Sequence, residues 1–279
     1  MENERAHVVK VFRAGAQRNF LSVTYWFKLM GVVLLAAVSP YILSVVTQAA
    51  QKLPPEAVEA FRQGNCYNIG ILTVPSLEVG IHTNFNAMAL GVLSGGFAQC
   101  LAVFAATGFI AGEFSGGYFK LAIMRGEKRP ILFTKYIALS VVSSLPLIVL
   151  SPVAVMASLA AGGNASSSSP ADIAQTLAVQ AIMLMALVVC FASIAISLDG
   201  RGGSFIGIAA VIALPLIPNY LRIFTNGKVQ IKGLFLMSRL ADTASGITDS
   251  VSGDLLSAAV TAMVFFLLGM IVFLSKNFD

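Results

Sequence analysis

The side chains able to do chemistry are few and scattered. There are two histidines, His7 and His82, far apart in the chain. The three cysteines, Cys66, Cys100 and Cys190, show no pair at metal-ligand spacing; Cys100 and Cys190 fall in apolar stretches, where a thiol is a small hydrophobe. A phosphate loop of the form Gly-x-x-x-x-Gly-Lys-Ser/Thr is missing from the sequence, so the chain has no visible means of hydrolysing ATP. Gly-x-Ser-x-Gly and His-Glu-x-x-His are missing as well. The reading is of a chain that is not an enzyme, with no catalytic residue, no resident cofactor and no metal site.

What the sequence has instead is apolar length. Of its 279 residues 57% are hydrophobic and 11% are charged, against about 25% charged in a soluble domain. Crossing some 30 Å of hydrocarbon takes roughly 20 apolar residues in a helix. Six runs free of Asp, Glu, Lys and Arg reach that length: 29–51, 79–112, 136–171, 173–198, 202–221 and 255–275. The polar ends of two of them trim the spans to about 87–112 and 136–159. Stretches such as Ile182–Ala192 are apolar on every face and do not alternate, which disfavours a transmembrane barrel. The expected fold is an all-α integral membrane protein, one domain over 1–279 with six transmembrane helices.

Charge sets the orientation and narrows the function. With six spans, one side of the membrane collects 12 Lys and Arg and the other 6. The positive-inside rule then places both termini in the cytoplasm of a multi-pass protein of the cell membrane. On that topology His7 and His82 lie on opposite sides and cannot share a metal. All six spans lack charge, whereas a proton- or ion-coupled carrier usually needs an ionisable group near the midplane. That leaves a passive structural role, a channel, or a transporter powered by another subunit. Nucleic acid is not an expected partner; the lipid bilayer is.

The segments between spans carry the remaining information. Residues 1–28 form a basic cytoplasmic segment, within which 6–20 read as an interfacial amphipathic helix: Val8, Phe12 and Ala16 recur every four residues, with Lys10, Arg13 and Arg18 off the stripe. The first outer loop holds Pro54-Pro55 and a helix-like stretch with Glu56, Glu59 and Arg62. The second holds a Gly/Ser linker at 162–169. Residues 222–254 mix Arg222, Lys228, Lys232 and Arg239 with Leu234–Met237, too short a core to span, and read as a re-entrant or interfacial outer helix before span six. Gly91 and Gly95, then Gly108, Gly112 and Gly116, recur every four residues, a spacing that suits close helix packing in lipid.

The cytoplasmic loop 113–135, between spans two and three, is short, amphipathic and basic. Tyr118, Leu121 and Ala122 can form an apolar face beside Lys120 and Arg125; Gly126 ends the helix and Pro130 opens the next segment. The pattern resembles the membrane subunits of ABC transporters of the type-2 permease family, in which a Glu, a Gly-x-x-Lys, a short helix, an Arg-Gly with further basic residues and a Lys precede the third span. Here these are Glu113, Gly117, Lys120, Arg125, Gly126, Arg129 and Lys135, with Gly116 beside them. By size and by its long first outer loop the chain looks most like permeases for antimicrobial or lantibiotic-type peptides. The resemblance implies a coupling helix near Gly116–Arg125 that docks on a separate ABC ATPase subunit, which would hold the ATP and magnesium. It also implies a second permease copy or paralogue in a dimer, a second ATPase contact through the N-terminal helix, and export of an amphipathic peptide or other lipophilic cargo. Export of a polysaccharide, lipid or drug, or a non-transporting membrane scaffold, remains open on the same residues.

Overall fold

The computed structural model describes residues 13–18, 20–50, 66–69, 72–75, 93–94, 96–161, 170–198, 205–207, 209, 236–243 and 251–276. Gly91, Gly95, both histidines, the 162–169 linker, most of 202–221 and the proline-rich stretch with Glu56, Glu59 and Arg62 lie outside them. The described elements are α1 (Val23–Ala50), β1 (Cys66–Ile69), β2 (Leu72–Pro75), α2 (Gly96–Ser115), α3 (Tyr118–Met124), α4 (Arg129–Ala161), α5 (Pro170–Ser197), α6 (Leu236–Asp242) and α7 (Val251–Ser275).

Four of these helices are long and apolar enough to cross a membrane: within α2 from Ala98, within α4 to Ser158, and the whole of α5 and α7. The chain is a helical membrane protein. Its outer surface agrees with that. Only 11% of the α7 window is buried, and Leu256, Met263, Leu267 and Ile271 stand exposed along it. So wide an apolar face is costly in water and native in hydrocarbon. The fifth long helix, α1, carries the charge-free run that begins at Leu29 and extends it back past Lys28.

The helices end where backbone chemistry stops them. Pro170 opens α5, where its missing N–H costs nothing, and Asp172 and Asp254 sit in the first turns of α5 and α7, favourable against the helix dipole. Ser22 caps α1, its Oγ accepting the Tyr25 N–H at 3.1 Å. Pro152 lies inside α4 and cannot donate to the carbonyl of Ile148 one turn back; the Ser151 hydroxyl donates to that oxygen at 3.3 Å instead. Ser140, Ser143, Thr107 and Ser193 likewise donate to carbonyls of the preceding turn, which leaves these hydroxyls satisfied away from water.

The bundle is built around α5, which packs against α2, α4 and α7, while α1 lies along α4. Its core is Met183, Leu184, Val188, Ala192 and Ile196 with Val103, Ala106 and Ile110 of α2 and Leu132, Phe133 and Leu139 of α4. One close helix approach is at Gly269 of α7, where an added Cβ would meet Ser193 Cβ of α5 at 2.8 Å. Polar ties cross the bundle: Gln180 Nε2 donates to Thr243 Oγ1 at 3.0 Å and Ser158 Oγ to the Ala37 carbonyl at 2.9 Å.

Three boundaries differ from the sequence expectation. First, α4 starts at Arg129, seven residues before the charge-free run, and α2 runs on to Ser115, so the 113–135 segment is mostly helix. Charge ends a hydropathy run without ending a helix, because Lys and Arg are good helix formers. Second, the segment between the first two apolar runs, expected as an outer loop, contains an antiparallel pair, β1 with β2, in register Cys66 with Pro75 through Ile69 with Leu72. Tyr67, Ile69, Thr73 and Val74 are strand formers, and the four-residue strands were too short to register against the apolar runs. Third, within 222–254 the described helix α6 begins at Leu236, with Leu236, Met237 and Leu240 buried, and α7 already starts at Val251.

Candidate coupling site

The basic end of the bundle gathers the N-terminal segment, the C-termini of α2 and α7, the start of α4, and α3. At its centre is Glu113, in the last turn of α2 and 6% exposed. Its Oε2 accepts the Tyr136 hydroxyl of α4 at 2.8 Å and pairs with Arg18 Nη2 at 3.2 Å. The Arg18 guanidinium also lies over the Tyr118 ring, 4.0 Å from its centroid. One carboxylate thus joins the N-terminal segment to α2 and α4 and, through Arg18, to α3.

The N-terminal helical turns, 13–18, therefore do more than lie at an interface. Ala16 packs against the core, and Gly15 is buried so close to α4 that an added Cβ would meet Leu139 Cδ1 at 2.9 Å. Of the basic residues expected off the stripe, Arg13 is exposed and Arg18 turns inward to Glu113. Val8, Lys10 and Phe12 fall outside the described residues.

Helix α3 is set by two glycines. Gly117 precedes it at φ +69° and Gly126 follows it at φ +82°, left-handed positions that an L side chain reaches only at a cost. At the far end the Gly126 N–H bonds to Ile123 O at 3.0 Å and the Glu127 N–H to Ala122 O at 3.1 Å, a Schellman closure. Gly116 is needed for room, since an added Cβ would sit 2.6 Å from the Tyr118 ring.

The two sides of α3 have different surroundings. Inward, Phe119 is 2% exposed and stacks between Phe114 of α2 and Tyr136 of α4, with centroids 4.0 Å away on each side. The Phe273 ring of α7 meets it edge-on at 6.1 Å. Ala122 is buried beside it. Outward, Tyr118 and Leu121 are each 42% exposed and Met124 is 66% exposed, with Lys120 and Arg125 exposed on the same arc. The expected apolar face of Tyr118, Leu121 and Ala122 is thus divided: Ala122 joins Phe119 inside, while Tyr118 and Leu121 face out with Met124. No protein-family model matches the sequence, and no curated protein matches it.

The other residues singled out by the sequence take separate places. Arg129 Nη1 donates to the carbonyls of Leu274 and Lys276 at 3.3 and 2.9 Å. A cation there clips the start of α4 to the C-terminal end of α7. Lys135 is 9% exposed and pairs with Glu127 at 3.5 Å. Gly108 and Gly112 do not meet helix backbone. An added Cβ on Gly108 would meet Lys28 Nζ at 2.8 Å, and one on Gly112 would meet nothing within 4 Å. Sequence reasoning missed Tyr136 and Phe119, the two rings that hold the site together. Tyr136 was read as the first residue of a span, and only the polar edge of that ring in an apolar run hinted at a buried acceptor.

Proposed function

We propose that the chain is the transmembrane subunit of an ATP-driven exporter and that α3 docks on a separate ATPase. Four membrane-length helices, the sequence pattern from Glu113 to Lys135 and the missing phosphate loop support this reading. The observation that carries it is the two-sided character of α3. Its inner face is locked by Phe119 into α2, α4 and α7, so a displacement of α3 reaches three long helices at once. Its outer face offers Tyr118, Leu121 and Met124, flanked by Lys120 and Arg125, to a partner.

On this reading Lys120 and Arg125 set docking geometry, and Glu113 acts from inside, passing motion of α3 and of the N-terminal segment into the bundle. ATP binding and hydrolysis on the partner would shift two paired permease copies between two packings. Both termini and α3 are cytoplasmic, and the cargo is an amphipathic, antimicrobial-type peptide.

A photo-crosslinker placed at Leu121 in native membranes tests this. It should capture a protein that carries a phosphate loop, and Leu121→Asp with Met124→Asp should abolish both ATPase co-purification and ATP-dependent peptide movement into inverted vesicles, with membrane insertion unchanged. Lys52→Ala and Arg62→Ala, expected on the outer side, should leave all three intact. Full transport by the double α3 variant would end the docking assignment.

A further inference from the structure

Beside the Glu113 cluster lies a half-open pocket of about 250 Å³, between the N-terminal segment, α1, α2 and α4. Its charged lining is Arg18, Lys28 and Glu113, with hydroxyls from Ser22, Tyr25, Tyr118 and Ser143, and its apolar floor includes Phe109 and Leu147. We propose that this pocket binds a phosphate group, and that the source of that phosphate is the headgroup of an anionic phospholipid.

Charge supplies the first argument. Two cations and one carboxylate line the pocket, and that carboxylate is already committed to Arg18 and the Tyr136 hydroxyl. Lys28, whose ammonium reaches across to Gly108 of α2, forms no ion pair among the described residues. Ser22 Oγ accepts the Tyr25 N–H, which leaves its own hydrogen to donate. A phosphate oxygen is the acceptor that a guanidinium, an ammonium and a hydroxyl at one mouth would share.

Depth and size supply the second. Glu113 is the first charged residue after the charge-free part of α2, Lys28 the last basic one before that of α1, and Lys135 the last before that of α4. The pocket therefore sits where helices pass from charged to uncharged, the level of lipid headgroups, and basic pockets between membrane helices at that level suit anionic lipids. Its volume lies below the roughly 300–1,000 Å³ typical of sites for whole drug-sized ligands. It fits a headgroup whose acyl chains run past Phe109 and Leu147 into the bilayer, and is too small to enclose a peptide cargo. Gly108 and Gly112 then have a role: their missing side chains make the room. The inference rests on the membrane placement of these helices and is independent of the exporter reading.

Native mass spectrometry of the full chain, purified from vesicles of phosphatidylglycerol and phosphatidylcholine in equal parts, tests it. The wild type should retain phosphatidylglycerol in preference to phosphatidylcholine. Lys28→Gln should reduce that retention about tenfold, the scale of one charge-assisted contact. Gly112→Leu fills the pocket without touching its charges, replaces a glycine in a helix by a better helix former, and should reduce retention to a similar degree. Lys120→Gln, on the exposed face of α3, should change nothing. Millimolar inorganic phosphate that displaces the lipid and protects the chain from thermal unfolding to the same extent would reassign the source to a soluble phosphate. Equal retention of the two lipids by the wild type, or unchanged retention in both Lys28→Gln and Gly112→Leu, would overturn the site.

Discussion

Glu113 is the residue on which the basic end turns, and its partners predict how it fails. Arg18 is half exposed and can rehydrate when the carboxylate is lost, but the Tyr136 hydroxyl cannot. Glu113→Ala should therefore cost about 1–3 kcal/mol, mostly the desolvation penalty of the orphaned hydroxyl. Tyr136→Phe with Glu113→Ala should cost less than the sum of the single changes. A double-mutant cycle on thermal unfolding in detergent measures this, and strict additivity would mean that the 2.8 Å hydrogen bond contributes nothing in solution. The same geometry separates Glu113 from Arg125. The first should affect stability and coupling together, the second coupling alone.

Among the elements, α3 and the α5–α7 contact make distinct demands. Phe119→Ala removes a ring stacked on two sides and should cost about 3–5 kcal/mol, whereas Leu121→Ala on the exposed arc should stay within about 0.5 kcal/mol. Gly126→Ala forces a methyl onto φ +82° and should cost about 1–2 kcal/mol. If Gly126→Ala melts at the wild-type temperature, the Schellman closure does not hold α3 in place. At the other contact, Gly269→Ala drives a Cβ to 2.8 Å from Ser193 Cβ and 3.3 Å from the Ser193 carbonyl. Backbone cannot yield as a flexible side chain does, so a loss of about 1–3 kcal/mol is expected. Gly108→Ala, which meets only the tip of Lys28, should be milder. The order of melting temperatures among the glycine variants checks this ranking.

For the whole molecule, the prediction is topological. The 12-to-6 distribution of Lys and Arg and the six-run pattern require reporter fusions after Ser275 to read cytoplasmic and fusions near Ser167 to read external; a reversed pattern would sink the six-span arrangement. The structure adds a constraint of its own. Arg129 ties the start of α4 to the end of α7, and Arg18 ties the N-terminal segment to the end of α2, so these four ends share one side. A fusion near Glu127 must therefore report the same side as one after Ser275.

The class and the long apolar helices were legible in the chain, because crossing hydrocarbon is a one-dimensional demand: enough apolar residues in a row and no charge among them. The runs at 173–198 and 255–275 match α5 and α7 to within a few residues for that reason. The short helix before Gly126 was legible too, since a glycine at a left-handed position is a local requirement. Residues near one another in space but not in sequence were not legible. Nothing in the chain pairs Arg18 with Glu113 or Tyr136 with Glu113. Gly269 has no glycine partner four residues away, so no spacing rule found it, while Gly108 and Gly112 had the spacing and turned out to line a pocket. Only the tertiary structure decided those roles, because close approach and charge pairing depend on which helix faces stand opposite each other, and hydropathy along a chain that is apolar on every face does not encode a facing side.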